Sequence, residues 1–131
     1  MTDFVDRTLK RWRQVPFQWG FEDCLISIAD YVKECTGKDY GDIFRGTYSD
    51  EAGAMEHVKK FGGEINLIER SGLERVAIPQ RGDIMLVDLR KPIGAICTGQ
   101  GAAMRMLRGV TEIDLKHVEI IAVWKVPQCR Q

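Results

Sequence analysis

The chain has 131 residues, 44% hydrophobic and 29% charged, the balance of one ordinary globular domain large enough to bury its own core. Its 19 Lys and Arg match 19 Asp and Glu, so the formal net charge is zero. That argues against non-specific nucleic-acid binding, which needs a basic excess to displace counterions, and no apolar run approaches a membrane span.

The first predicted helix runs from Asp3 to Trp12, where Phe4, Val5, Leu9 and Trp12 recur at helical spacing behind Thr2 or Asp3 as N-cap. Pro16 stops it. A second helix is expected from Cys24 to Thr36, capped by Asp23, ended by Gly37 and carrying Leu25, Ile28, Ala29 and Val32 as its apolar stripe. The stretch GKDYGDIFRGTYSD is too irregular for a long element. A third helix spans Glu51 to Lys60, with Ser49 or Asp50 as cap, Ala54, Val58 and Phe61 inward, and Gly62-Gly63 as its end.

Strand signals follow: IMLVDL (84–89), IGAICT (93–98), AAMRML (102–107), VTEI (110–113) and IIAVWKV (120–126). Lys91-Pro92 and Gly99-Gln100-Gly101 are short turns of the kind that join antiparallel neighbours. Helices first and a strand meander second imply an α+β fold, with N-terminal helices packed on a curved antiparallel sheet of about five strands, one domain over residues 1–131.

The four cysteines, Cys24, Cys35, Cys97 and Cys129, form no C-x-x-C pair, and the two histidines are His57 and His117. This spacing suggests neither a metal site nor a cofactor. MTDFVDRTLKRWRQ lacks the apolar core of an export signal, so the thiols are expected in a reducing compartment, unpaired and packed as small hydrophobes, with Cys129 exposed near the end.

Cys24 is the residue with chemistry to explain. In the first turn of a helix, orphan N–H groups and the macrodipole favour a thiolate, the form that attacks carbonyls, and the same amides could stabilise an oxyanion. The alternative is packing, because Cys24, Ile28, Tyr31 and Cys35 share one helical face. A nucleophile needs a base. His57, among the charges of AMEHVKK, reads as a surface residue, and His117 in DLKHVEII reads as a loop histidine able to approach in space. Arg45 either holds a carboxylate, packs over Tyr48 or ties down its own loop. Trp19 and Trp124 read as apolar anchors, and Asp83 as a turn residue.

The combination W-G-x-x-D-C before a buried helix and R-G-D before an apolar strand resembles the NlpC-type cysteine peptidases of papain-like fold, with Asp23, Cys24, Gly82 and Asp83 at the matching positions. The segments Pro16 to Cys24, Thr36 to Asp39, Phe44 to Tyr48, Arg81 to Asp88, Ile96 to Gly99 and Ala122 to Val126 together resemble a small family of phage and prophage proteins. The second resemblance implies a tail-tip or baseplate component, assembled in the bacterial host cytoplasm and carried in the virion tail. Its partners would be other tail-tip or hub proteins and peptidoglycan peptides.

In the peptidases the second strand opens with histidine. Here that position falls on Pro92 or Ile93, and the residue that orients the histidine falls near Ala102-Ala103. The resemblance thus implies a nucleophile position, Cys24, without its base, in a structural or interaction component. Two other readings stay open: an active stem-peptide peptidase or amidase with His117 as an unorthodox base, and a module that binds peptide or glycan in the old cleft. Trp19, Asp23, Arg45 and Tyr48 are the candidate binding residues.

Overall fold

A computed structural model describes residues 3–129. The elements in order are α1 (Phe4–Gln14), α2 (Ile26–Thr36), α3 (Glu51–Lys60), α4 (Glu64–Glu69), β1 (Ile84–Asp88), β2 (Pro92–Cys97), β3 (Gly101–Met106), β4 (Gly109–Asp114), β5 (Glu119–Trp124) and a single 3-10 turn, Pro127–Cys129. All neighbouring strands are antiparallel, in the order β4-β3-β2-β1-β5. The sheet is not closed, because β4 and β5 are its two edges. The fold is therefore α+β with a five-stranded antiparallel sheet, as the chain order of the periodicities predicts.

Local chemistry sets the helix ends. Asp3 caps α1 through Asp6 N–H (2.8 Å), and Asp50 caps α3 through Gly53 N–H (2.8 Å). Thr2, the alternative cap, lies outside the described residues. Gly37 ends α2 at φ 83°, a conformation that costs an L side chain energy. Two expectations shift. The helical hydrogen bonding of α2 begins at Ile26, with Cys24 and Leu25 in the turn before it. Glu64–Glu69 forms a helix, α4, that was not foreseen, because six residues give no full amphipathic window.

Strand parity divides the sheet into two apolar faces. Ile84, Leu86, Ile96, Ala103, Ala122 and Trp124 point toward α1 and α2 and pack with Val5, Trp12, Ile28 and Val32. Met85, Val87, Ala95, Cys97, Met104 and Val123 form a second cluster on the opposite face, with Val76, Leu89, Leu115 and Val118 packed against it. Because both faces are buried, β1 and β3 are buried along their length rather than alternating, and β1 is apolar from Ile84 to Val87. A bulge between Leu86 and Val87 in the β1–β5 pairing leaves Ile121 without a partner on β1 and turns it outward.

The cysteines require a correction. Cys35 and Cys129 form a disulfide, with Cα atoms 5.7 Å apart, and Cys129 is fully buried rather than exposed. The chain folds its last turn back onto the end of α2, which brings together two cysteines 94 residues apart. Cys24 and Cys97 are the free thiols. Among the described residues, no helix is long and apolar enough to cross a membrane.

Candidate functional site

The approach to Cys24 is a tight reversal. Gln18 and Glu22 pair as an antiparallel bridge, closed by Gln18 N–H to Glu22 O (2.9 Å) and Glu22 N–H to Gln18 O (2.7 Å). Gly20 sits inside it at φ 90°, and a Cβ there would lie 2.2 Å from the Tyr48 carbonyl oxygen. Only glycine satisfies both the conformation and the approach.

Asp23 is fully buried and saturated. Its Oδ1 accepts from Leu25 N–H (2.9 Å) and Ile26 N–H (2.8 Å), and its Oδ2 accepts from Gly20 N–H (2.9 Å) and the Tyr48 hydroxyl. A buried carboxylate needs this many donors, since each unmet lone pair would forfeit its hydration without return. The expectation that Asp23 caps the second helix holds in substance. It also changes the electrostatics: the free amides at the mouth of α2 that would favour a thiolate are already bound by a carboxylate.

The Cys24 thiol is accordingly pushed up to about 11, first by burial and then by the Asp23 charge, against a smaller opposing pull from Lys91. This reverses the direction expected from a helix terminus. At neutral pH the thiolate fraction is on the order of one in ten thousand.

Cys24 lies in the wall of an apolar cavity of about 110 Å3 between α2, the 40–44 loop, α3, α4 and the start of β2. Ile28, Val58, Leu67 and Pro92 supply much of the lining, and Glu64 and Ser71 are among its few polar members. Pro92, Ile93 and Gly94 at the start of β2 line the same cavity as Cys24. A Cβ on Gly94 would stand 3.0 Å from Ile28 Cγ1 and 3.8 Å from the Cys24 carbonyl oxygen. The strand positions beside the thiol therefore carry no group able to take a proton.

His117 is exposed, in the turn between β4 and β5, where its N–H donates to Asp114 O (2.9 Å). It is not among the residues lining the cavity. Trp19 is half-buried, meets Phe17 edge to face at 4.9 Å and lines the cavity. Arg45 binds Asp39 with two nitrogens (3.1 and 2.8 Å) and also pairs with Asp30 on α2, so its fork ties down its own loop. Tyr48 serves Asp23. Of the six residues singled out from sequence, Trp19, Asp23, Cys24 and Tyr48 are brought together, Arg45 braces the adjoining loop, and His117 lies in the β4–β5 turn outside the cavity lining.

His57 is not a free surface residue. It is half-buried against Phe44 (5.5 Å) and Tyr48 (5.6 Å), with Nε2 3.0 Å from Thr47 Oγ1. Asp83 is likewise more than a turn residue: it is fully buried and accepts from Gln80 N–H (2.9 Å) and Val126 N–H (3.3 Å). Arg105 was missed altogether. It is buried on the helix side of β3 and donates to Glu22 Oε2 (2.6 Å), Ser27 Oγ (3.3 Å) and the Val15 carbonyl, and Glu22 also pairs with Arg11. The loop leading to Cys24 is thus pinned to the sheet by a buried ion pair. The strand parity that points Ala103 toward the helices also points Arg105 there, so a charge at that position signals a buried partner.

No curated protein and no solved structure matches the chain. A family model described as a domain of unknown function, DUF6950, matches residues 2–126, and the chain belongs to that family.

Proposed function

We propose that this chain is a papain-like, NlpC-type domain that has lost peptidase chemistry and serves as a structural or interaction component of a phage or prophage tail tip. The observation that carries the loss of catalysis is the state of Cys24. Its thiol is held protonated, its neighbouring amides are taken by Asp23, and the β2 residues that line the cavity with it are Pro92, Ile93 and Gly94. Losing the base from a nucleophile–base pair typically costs several orders of magnitude in rate, because the two act as a unit. The tail-tip setting rests on the sequence resemblance alone, and places the protein in the host cytoplasm during assembly and in the virion afterwards.

The deciding experiment incubates the purified chain and its Cys24→Ala variant with muropeptides carrying stem peptides. The expected outcome is no cleavage above the Cys24→Ala background. Turnover that vanishes in Cys24→Ala would assign the active peptidase or amidase instead. Locating the chain in purified virions by mass spectrometry tests the setting, and its absence from tails would reject it.

A second reading is favoured by one observation, the apolar cavity beside Cys24. As a binding module, the domain would seat an apolar group there, with Trp19 at the wall. Titration with stem peptides should then shift the Trp19 emission, and no response across millimolar concentrations would remove this reading for that ligand class.

A further inference from the structure

Beyond Trp124 the chain leaves the sheet under light restraint. Lys125 N–H donates to Glu74 O (2.8 Å), Val126 N–H to Asp83 Oδ1 (3.3 Å), and Cys129 N–H closes the final turn on Val126 O (2.9 Å). Past Val126, among the described residues, the attachment is the Cys35–Cys129 bond together with packing of Cys129 in the cluster that holds Trp12 and Val32. The rest of the domain is fastened elsewhere. β5 is paired along β1, Val76 N–H reaches Val123 O (3.0 Å), and the Tyr31 hydroxyl reaches Gly82 O (2.6 Å).

Four cysteines allow three full pairings, yet one pair alone is assembled. Cys24 sits in the cavity wall near the start of α2, and Cys97 lies with Met85, Ala95 and Met104 on the opposite face of the sheet. Burial pushes both of these thiols up, so neither offers much thiolate to compete. Cys35, half-buried in the last turn of α2, is the more open partner of the pair.

We infer that Cys35 and Cys129 form a redox-operated latch that fastens the C-terminal turn to α2 without being needed to hold the rest of the fold. A low-molecular-weight disulfide such as oxidised glutathione closes it. One cysteine thiolate attacks that disulfide and expels a glutathione thiolate. The second cysteine then attacks the mixed disulfide and expels the other. The protein gives up two electrons and two protons, and one glutathione disulfide becomes two glutathione thiols. Reduction runs the same exchange backwards, freeing the turn at Pro127–Cys129 and uncovering the apolar side of α2 around Val32 and Cys35. The latch therefore distinguishes a reducing interior from oxidising surroundings, and this does not depend on the function proposed above.

The test equilibrates the full chain in glutathione buffers of graded redox ratio, traps thiols with N-ethylmaleimide after acid quench and unfolding, and follows amide exchange at each poise. The expected result is one reversible transition confined to Cys35 and Cys129. Exchange of the Cys129 amide should accelerate at least tenfold on reduction, while β1 and β2 stay protected. Cys35→Ser should reproduce the reduced pattern under oxidising conditions, and Cys24→Ala/Cys97→Ala should leave the transition in place. Exchange across β1 and β2 at the rate of an unfolded chain on reduction would make the bond a staple of the whole fold and overturn the inference. So would unchanged exchange at Cys129, or re-oxidation into pairs containing Cys24 or Cys97.

Discussion

The two ends of α2 are held by different physics. At the N-terminal end a web of directional bonds, Asp23 to three amides and Tyr48 and Arg105 to Glu22 and Ser27, fixes a turn with no covalent link. At the C-terminal end one covalent bond and apolar packing hold a short turn that has few other attachments. Charge-assisted hydrogen bonds give geometric precision at the price of tolerating no substitution, whereas a disulfide tolerates its surroundings but answers to redox conditions. The site of interest thus sits at the rigid end, and sensitivity to surroundings sits at the other.

Removing the disulfide by Cys129→Ala should have the largest effect on this comparison. Closing a loop of 94 residues constrains the unfolded chain by about 4.7 kcal/mol in the chain-entropy picture, so the urea unfolding free energy should fall by about 2–5 kcal/mol in the variant while the native sheet keeps its structure. If the loss is under about 0.5 kcal/mol, within the range of ordinary surface substitutions, the C-terminal bond contributes nothing to the fold.

Asp23→Asn comes next, at about 2 kcal/mol, because the new amide group faces the Gly20 N–H and the Tyr48 hydroxyl where a carboxylate oxygen accepted both. The same variant removes the second cause of the raised thiol. Alkylation of Cys24 by iodoacetamide should then rise at lower pH in Asp23→Asn than in the parent, where it climbs toward about 11. Superimposable pH profiles would show that burial alone sets the thiol.

The raised thiol also couples to stability. A native state that keeps Cys24 protonated is favoured below the ordinary thiol value of 9.0, and that advantage is lost as pH rises through about 11. The difference between parent and Cys24→Ser should change by roughly 3 kcal/mol across that window, measured by thermal unfolding at stepped pH. A constant difference would contradict the shift.

The smallest effect is expected at His117→Ala. An exposed turn histidine that is not among the cavity lining should alter stability by less than about 0.5 kcal/mol and leave the Cys24 alkylation profile unchanged. A changed profile would restore His117 as a partner of the thiol.

Sequence periodicity reached the rigid end of α2 more fully than the other. Asp23, Gly37 and the alternating faces of the strands are local signals, written within a few residues of where they act. The Cys35–Cys129 bond is invisible to such reading, since it depends on how the last turn crosses a helix nearly a hundred residues earlier and on a compartment inferred from the N-terminal segment alone. The acidity of Cys24 failed for a different reason. Helix-terminal amides were counted as free, while the adjacent carboxylate that also makes the cap had already bound them. Arg105 was within reach, because one charge in an apolar strand has to find an internal partner.

Gly94 sets how closely β2 approaches the turn that carries Cys24. Ile28 already crowds the place where a side chain at that position would begin, at 3.0 Å from its Cβ. A side chain at 94 would make Ile28 give by a few tenths of an ångström, so the strand and the helix would have to adjust together. The space around the thiol is set by the shape of its neighbours as much as by their composition.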